Sequence, residues 1–265
     1  MNILEKIVSK KKQEIEVAKQ RLSIKDLQNS DLYKRACYSL SDKLRDEQSL
    51  GIIAEFKRKS PSKGLINMHQ NLIKDVAIGY QNSGASAMSV LTDQMYFGAE
   101  EKDILLARAH SKLPLLRKEF IIDAYQIYEA KAMGADLILL IGAILTKKES
   151  QELSNIANDL GLEVLYEIHE EKEIELIPDC VQMVGINNRD LKYFKVDFER
   201  SMRMFDQLPK EQIKIAESGI SDYKTVVDLK RKGFNGFLIG ENFMKTADPG
   251  WACQSFIEKC KVEGN

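Results

Sequence analysis

One pattern recurs along most of this chain: a helical segment ends at a glycine, and a short apolar segment follows within a few residues. The clearest repeats have their glycines at Gly84, Gly134, Gly161 and Gly233. Glycine often ends helices because it adopts the left-handed conformation without strain. The intervals of 50, 27 and 72 residues between these glycines match two, one and three units of about 25 residues, the size of a compact βα repeat.

The apolar segments predict eight strands, each followed by a segment with a helical pattern. The predicted strands are residues 50–56, 85–91, 113–119, 135–141, 162–168, 181–187, 212–217 and 235–239. Strands that alternate with helices indicate a parallel sheet with right-handed crossovers. Eight units favour an α/β fold, a closed (β/α)8 TIM barrel. An open doubly wound sheet is the alternative, but the GxGxxG turn that usually follows its first strand is absent.

The length of 265 residues fits one (β/α)8 barrel domain over 1–265, in which 1–45 form an N-terminal helical extension. The extension carries an apolar stripe at helical spacing, formed by Ile3, Leu4, Ile7 and Val8. The basic run at 9–12 could bind an anion. Because glutamates follow it directly, a solvated helix face is favoured.

Charge and cysteine content exclude several classes of protein. Lysine plus arginine (39) nearly balance aspartate plus glutamate (40), so neither nucleic acid nor a membrane is expected as a partner. The four cysteines form no CxxC pair, which argues against a zinc site or a disulfide-dense fold; Cys253 and Cys260 are expected to pack as small apolar residues on one helix face. No apolar run is long enough for a signal or a membrane span. We expect a cytoplasmic protein, a monomer or weak homo-oligomer.

Polar side chains end five of the predicted strands. They are Glu55 and Lys57, Lys118, Glu167, Asn187 and Arg189, and Glu217 and Ser218. A charge at the end of an apolar strand costs desolvation energy unless it is paired or hydrated. Any one of them could be a structural ion pair. Together they predict a catalytic pocket, because the active site of such a barrel lies at the carboxyl ends of its strands.

The last two strand-to-helix turns indicate a phosphate site. Gly219 and Gly240 follow the seventh and eighth predicted strands, where barrels often bind phosphate through backbone N–H groups. Ser60, in the loop after the first strand, could add a hydroxyl. The three histidines, His69, His110 and His169, are expected to lie outside the site, and Trp251 to pack against the barrel wall.

Several segments together resemble the indole-3-glycerol phosphate synthase family over residues 50–245. The most specific are IIAEFKRKSPSKG at 52–64 and GINNRDL at 185–191; LPLLRKEFIID, VLYEIH, IAESGI and FLIGENFMK follow the same order. The resemblance implies closure of the indole ring of 1-(2-carboxyphenylamino)-1-deoxy-D-ribulose 5-phosphate, with loss of CO₂ and water. It implies no cofactor, and it implies that the extension helps to close the pocket.

The resemblance also implies a role for each site residue. Lys118 is similar to the general acid at the substrate carbonyl, for which neighbouring cations and burial would lower the lysine pKa; Glu167 resembles the second acid/base group. Glu55 and Lys57 would form a neighbouring pair, with Lys57 near the substrate carboxylate. The groups that orient the substrate would be Asn187, Glu217 and Ser218, and Arg189 would support the pocket. The aromatic ring would be walled by Phe97, Phe120 and Leu140. The phosphate would be held by Ser60, Gly219, Gly240 and the backbone of Glu241.

Two other functions remain possible from the residues alone. One is a different reaction on a phosphate-binding barrel, such as that of phosphoribosylanthranilate isomerase, against which KRKSPSKG argues. The other is a non-catalytic sensor or scaffold that retains the sugar-phosphate site. The second is disfavoured because every expected acid, base and orienting position is filled.

Overall fold

The computed structural model describes residues 3–189 and 196–264, and its centre is a closed barrel of eight parallel strands. The strands are β1 Ile52–Phe56, β2 Ala87–Leu91, β3 Leu115–Lys118, β4 Leu137–Ile141, β5 Glu163–Ile168, β6 Met183–Asn187, β7 Ile213–Glu217 and β8 Gly236–Ile239. Neighbours in the chain are neighbours in the barrel, and β1 closes it by pairing with β8. The predicted TIM barrel is confirmed, and every strand end lies within two residues of its prediction.

Helices surround the barrel. They are α1 Ile3–Arg21, α2 Ile24–Gln28, α3 Leu40–Arg45, α4 Ile73–Asn82, α5 Gln94–Phe97, α6 Asp103–His110, α7 Ala124–Ala132, α8 Lys147–Asp159, α9 Phe198–Gln207, α10 Tyr223–Lys232, α11 Glu241–Met244 and α12 Pro249–Gly264. The predicted helix-ending glycines, at positions 84, 134, 161 and 233, all have positive φ. Two short strands, Lys59–Ser60 and Gly64–Leu65, form a hairpin in the loop after β1.

One predicted helix is absent. Only a 3-10 helix, Glu171–Leu176, follows β5, so the expectation of an α-helix after every strand is wrong there. Pro178 stands two residues beyond it. Because a proline disfavours helical conformation in the residue before it, little room remains for a full helix between β5 and β6.

The N-terminal extension contacts both ends of the barrel. The first helix, α1, covers the carboxyl ends of the strands, where Ile3, Leu4 and Ile7 face the central cavity. At the opposite end, Leu40 and Leu44 of α3 are buried with the inward side chains of the strands. The extension is therefore part of the barrel's packing as well as a cover for its open end.

The last helix, α12, packs on α4 through two glycines. The Cα of Gly79 leaves no space for a side chain at Gly250. Cys253 and Cys260 lie on the same buried face, so their expected packing is confirmed. Trp251 is 68% exposed, and its predicted packing against the barrel is wrong. It directly follows Gly250, and adjacent residues on a helix point about 100° apart.

Candidate active site

A cavity of about 530 Å³ opens at the carboxyl ends of the barrel strands. Most of the predicted site residues line it, namely Glu55, Lys57, Ser60, Phe97, Lys118, Phe120, Glu167, Asn187, Arg189, Ser218, Gly219, Gly240 and Glu241. They come from separate strands and loops. The closed barrel therefore brings together side chains that are up to 186 positions apart in the sequence.

Two predicted residues do not line the cavity. Leu140 is fully buried in the layer between barrel and helices, so its predicted contact with the substrate ring is wrong. Side chains alternate along a strand, so its neighbours Leu139 and Ile141 face inward and line the cavity instead. Glu217 lies beneath the cavity floor, where its carboxylate pairs with Lys118.

Lys118 is held between two buried carboxylates. Its Nζ pairs with Oε2 of Glu217 and lies 3.3 Å from Oε2 of Glu167. The strand β6 makes room for this arrangement, because a Cβ at Gly185 would overlap Oε1 of Glu217. At the end of β1, Nζ of Lys57 lies 2.5 Å from Oε1 of Glu55. The floor of the site thus carries alternating positive and negative groups.

The surroundings shift the pKa values of these groups in opposite directions. Burial alone would lower the pKa of Lys118, but Glu217, Glu167 and Glu55 outweigh it and raise that pKa. The expectation of a lowered lysine pKa is therefore wrong: anions, not cations, surround the amine. Glu167 stays ionised, because Lys118 and His169 overcome burial and hold its pKa well below the usual range. Burial, opposed by Lys118 and reinforced by Glu167, raises the pKa of Glu217 to about 8.

His169 lies inside the site, contrary to prediction. It is buried, lines the cavity, and has its Nε2 3.1 Å from Oε1 of Glu167. The sequence does hold a signal for it: His169 stands two residues after Glu167, just past the end of β5. Side chains two apart on an extended chain share a face, the same relation that pairs Glu55 with Lys57.

The loops after β7 and β8 form a concave backbone surface beside several cations. Ser218 and Gly219 are consecutive residues with φ of 66° and 77°, and both line the cavity with their backbone close to it. Nη1 of Arg189 donates to Oγ of Ser62 at 2.8 Å, and Lys245 lines the same cavity. An anionic group would find both backbone donors and positive charge here.

We expect Gly240→Val to raise KM while the protein still folds. The φ of Gly240 is −123°, so valine meets no left-handed backbone there. Its Cβ would instead overlap the Glu55 carboxylate and narrow the predicted phosphate site. Gly161→Ala is the matched control. It strains the backbone at a glycine of positive φ, but the added Cβ would have no other atom within 4 Å. Steady-state kinetics on both variants measure the effect, and an unchanged KM in folded Gly240→Val would locate the phosphate elsewhere.

One lysine of the basic run in α1 is buried. Lys11 is 5% exposed, and its Nζ lies 3.0 Å from both Asp93 Oδ2 and Glu119 Oε1. The predicted solvated face is therefore wrong at this position, although its neighbours in the run are exposed. Lys11 is four residues from both Ile7 and Ile15, which are buried, so it lies on the inward stripe of the helix.

The Lys11 ion pairs connect α1 to the residue that follows β3, the strand that carries Lys118. Glu119 follows Lys118 directly, and its carboxylate also accepts hydrogen bonds from Thr92 Oγ1 and from the amide N–H of Phe120, both at 2.8 Å. Phe120 in turn lines the cavity. The position of α1 is thereby coupled to the segment that carries Lys118 and Phe120.

Lys11→Met should loosen α1 and impair turnover. It would leave Asp93 and Glu119 buried without their cation, which typically costs about 3–5 kcal/mol. Because α1 covers the cavity, kcat should fall and KM should rise together. Lys10→Met, at the exposed neighbour, should leave both unchanged. Urea unfolding and kinetics on the two variants give the comparison, and equal behaviour would show that the ion pairs do not hold α1.

In residues 3–189 and 196–264, no group of three or more His, Cys, Asp or Glu side chains is arranged to hold a metal ion. Over the same residues, no helix has both the length and the apolar character to cross a membrane.

The fold and the site define a class of protein. A closed parallel barrel with ionisable side chains gathered at the carboxyl ends of its strands is a (β/α)8-barrel enzyme. A sequence model of the family "Indole-3-glycerol phosphate synthase" matches residues 4–256. The chain belongs to the indole-3-glycerol phosphate synthase family, and its activity is that family's carboxy-lyase reaction in tryptophan biosynthesis.

Relatives agree with this assignment, and solved structures agree with the fold. The chain is 46% identical to the indole-3-glycerol phosphate synthase of Bacteroides thetaiotaomicron, over 97% of this chain and 98% of that one. It is 40% identical to the indole-3-glycerol phosphate synthase of Salinibacter ruber, over 100% of this chain and 97% of that one. A chain of the tryptophan synthase complex of Pyrococcus furiosus superimposes with a TM-score of 0.58 at 16% identity, over 80% of this chain and 98% of that one. At that identity the likeness concerns the fold alone.

Proposed function

We propose that Lys118 is the general acid of ring closure and Glu167 the second acid/base group. The substrate would be 1-(2-carboxyphenylamino)-1-deoxy-D-ribulose 5-phosphate. Its carboxylate leaves as CO₂ and its carbonyl oxygen leaves as water, so the conversion takes up one proton overall. The observation that carries the proposal is the Lys118 ammonium beside an ionised Glu167, at 3.3 Å.

Ring closure needs a proton at the substrate carbonyl as the new carbon–carbon bond forms. Lys118 delivers that proton, and its positive charge stabilises the developing alkoxide. Glu167, which stays ionised and raises the pKa of Lys118, keeps that amine protonated at neutral pH. A substrate that displaces Glu167 from the amine lowers the pKa of Lys118 again, so proton transfer becomes favourable only in the complex. Glu167 then acts in the dehydration step: its ionised carboxylate takes the proton that the ring loses and passes it to the departing hydroxyl, which leaves as water.

Glu217 acts through Lys118. It is 1% exposed and lies below the cavity, so its proposed contribution is to hold the amine in position rather than to touch substrate. Because its pKa is raised to about 8, it carries a proton near neutral pH. Lys118, Glu167 and Glu217 together then carry one positive and one negative charge, so the three buried groups have no net charge.

The remaining groups are proposed to bind the substrate's ends. Lys57, paired with Glu55, would face the carboxylate. Phe97 and Phe120, whose ring centroids lie 6.2 Å apart, would hold the aromatic ring. The groups proposed to orient the chain and support the pocket are Asn187, Ser218 and Arg189. The phosphate would be bound by Ser60, Gly219, Gly240 and the backbone of Glu241.

Turnover of the purified protein with this substrate tests the function. Formation of the indole product is followed by its absorbance, with phosphoribosylanthranilate as the alternative substrate. Indole formation without isomerisation supports the proposal. Isomerisation alone would assign the barrel to the other reaction, and binding without turnover would make it a sensor or scaffold.

The finer organisation is also proposed. The chain is a single barrel domain over 1–265 with its extension at 1–45. It acts in the cytoplasm as a monomer or weak homo-oligomer, with a small sugar-phosphate as its only partner and no nucleic acid or membrane. Sedimentation of the purified protein tests the oligomeric state.

A further inference from the structure

A buried imidazole lies beside the proposed acid/base carboxylate, and the mechanism above assigns it no role. His169 is 3% exposed and lines the cavity. Its Nε2 lies 3.1 Å from Oε1 of Glu167, a close approach that departs from linear hydrogen-bond geometry. Neither ring nitrogen has a hydrogen-bond partner among the described residues. Burying such a group costs free energy, so its position against Glu167 calls for a functional reason.

The two oxygens of Glu167 have different neighbours. Oε2 faces Nζ of Lys118 at 3.3 Å, and Oε1 faces Nε2 of His169 at 3.1 Å. The terminal torsion of a glutamate is broad and only weakly restricted, so a single partner would leave the carboxylate free to turn. Two partners on opposite oxygens define one orientation.

His169 is itself held by the segment that follows β5. Its backbone N–H donates to Oε2 of Glu173 at 2.7 Å, and its Nδ1 lies 4.0 Å from the same oxygen. Glu173 is 3% exposed and belongs to the 3-10 helix that replaces the expected α-helix. This short 3-10 helix places the Glu173 carboxylate against His169.

We propose that His169 is a positioning residue for the reaction: its imidazole fixes the Glu167 carboxylate in the orientation that faces Lys118. The inference rests on the proposed acid/base role of Glu167. His169 acts through that carboxylate and does not touch the reacting atoms.

The charges around this pair set the expected pH effect. Glu167 is faced by Lys118 from β3 and Glu217 from β7, and His169 is faced by Glu173, with Glu170 close by. Burial would raise the pKa of Glu167, and Lys118 and His169 lower it. Removing the imidazole should therefore raise that pKa. Because a base must be ionised, the acid limb of kcat/KM should move to higher pH.

Two substitutions separate positioning from simple packing. His169→Met keeps the bulk but removes the imidazole nitrogen that faces Oε1 of Glu167, and kcat should fall about 10- to 100-fold with KM changed less than about threefold. His169→Gln keeps an N–H that can reach Glu167, so it should recover most of kcat while the acid limb stays shifted. His110→Gln is the control, because His110 is exposed on α6. A wild-type kcat and pH profile in His169→Met, or a glutamine variant as impaired as the methionine variant, overturns the proposal.

A measurement that needs no activity keeps the test decisive if the methionine variant fails to fold. The chain has three histidines, so the ring nitrogen signals of ¹⁵N-histidine-labelled protein can be assigned individually. Glu167→Gln should shift the signals of His169 and leave those of His69 and His110 in place. Unshifted His169 signals overturn this inference and leave the proposed function standing, whereas a wild-type protein without indole formation overturns the proposed function and, with it, the role of His169.

Discussion

Lys118→Ala is expected to abolish measurable ring closure in a protein that still folds. Loss of a general acid typically lowers kcat by about 10² to 10⁴-fold, and a larger loss is expected here because in the proposed mechanism the same ammonium stabilises the developing alkoxide. The fold should survive, because Glu217 can keep its proton beside Glu167 when the lysine is gone.

Lys214→Ala provides the matched control. Lys214 is also a buried lysine on a barrel strand. Its Nζ donates hydrogen bonds to the carbonyl oxygens of Pro209 and Gln212, outside the cavity. Its loss should reduce stability and leave kcat unchanged. Kinetics and circular dichroism on both variants make the comparison. Activity of Lys118→Ala within about threefold of wild type, with native circular dichroism, would remove Lys118 from its proposed role.

Glu167→Gln should reduce kcat by about 10² to 10⁴-fold with little change in KM. Glutamine retains the shape and an acceptor oxygen but cannot exchange a proton in this reaction. The cavity and its cations stay in place, so substrate should bind almost as well. Single-turnover experiments should show slower chemistry after normal binding.

Glu163→Gln is the control for that substitution. Glu163 accepts hydrogen bonds from the start of α3, including the N–H of Leu40 at 2.8 Å, at the other end of the barrel. Its substitution should destabilise the protein and spare kcat. If Glu167→Gln instead raised KM with an unchanged kcat, the acid/base role would pass to Glu55.

Much of the fold is predictable because its signals are local. A glycine that ends a helix, an apolar strand and a capping box such as the one at Thr146 each act within a few residues. The same holds for the polar groups at the strand ends, because the repeat itself directs all carboxyl ends to one face. Family resemblance then adds roles to particular positions, which local pattern alone does not supply.

Two of the failed expectations, those for Leu140 and for the helix after β5, have local causes, and others depend on contacts between distant segments. Side chains alternate along β4, so Leu139 faces the cavity and its neighbour Leu140 faces the surrounding helices. Lys11 is buried because Asp93 and Glu119 lie beside it, and no property of α1 alone reveals them. Trp251 is exposed because two glycines bring α4 and α12 together, which turns its side chain to the outside.

The sequence by itself determined the eight βα units, their order, and the set of charged residues at the carboxyl ends of the strands. Only the tertiary structure decided what those charges do to one another. A lysine pKa depends on the distance to the nearest carboxylates, and barrel closure brings Glu167 and Glu217 to Lys118 across 49 and 99 residues of chain. The same closure brings His169 against the cavity, where burial and a neighbouring carboxylate give an otherwise ordinary histidine its proposed role.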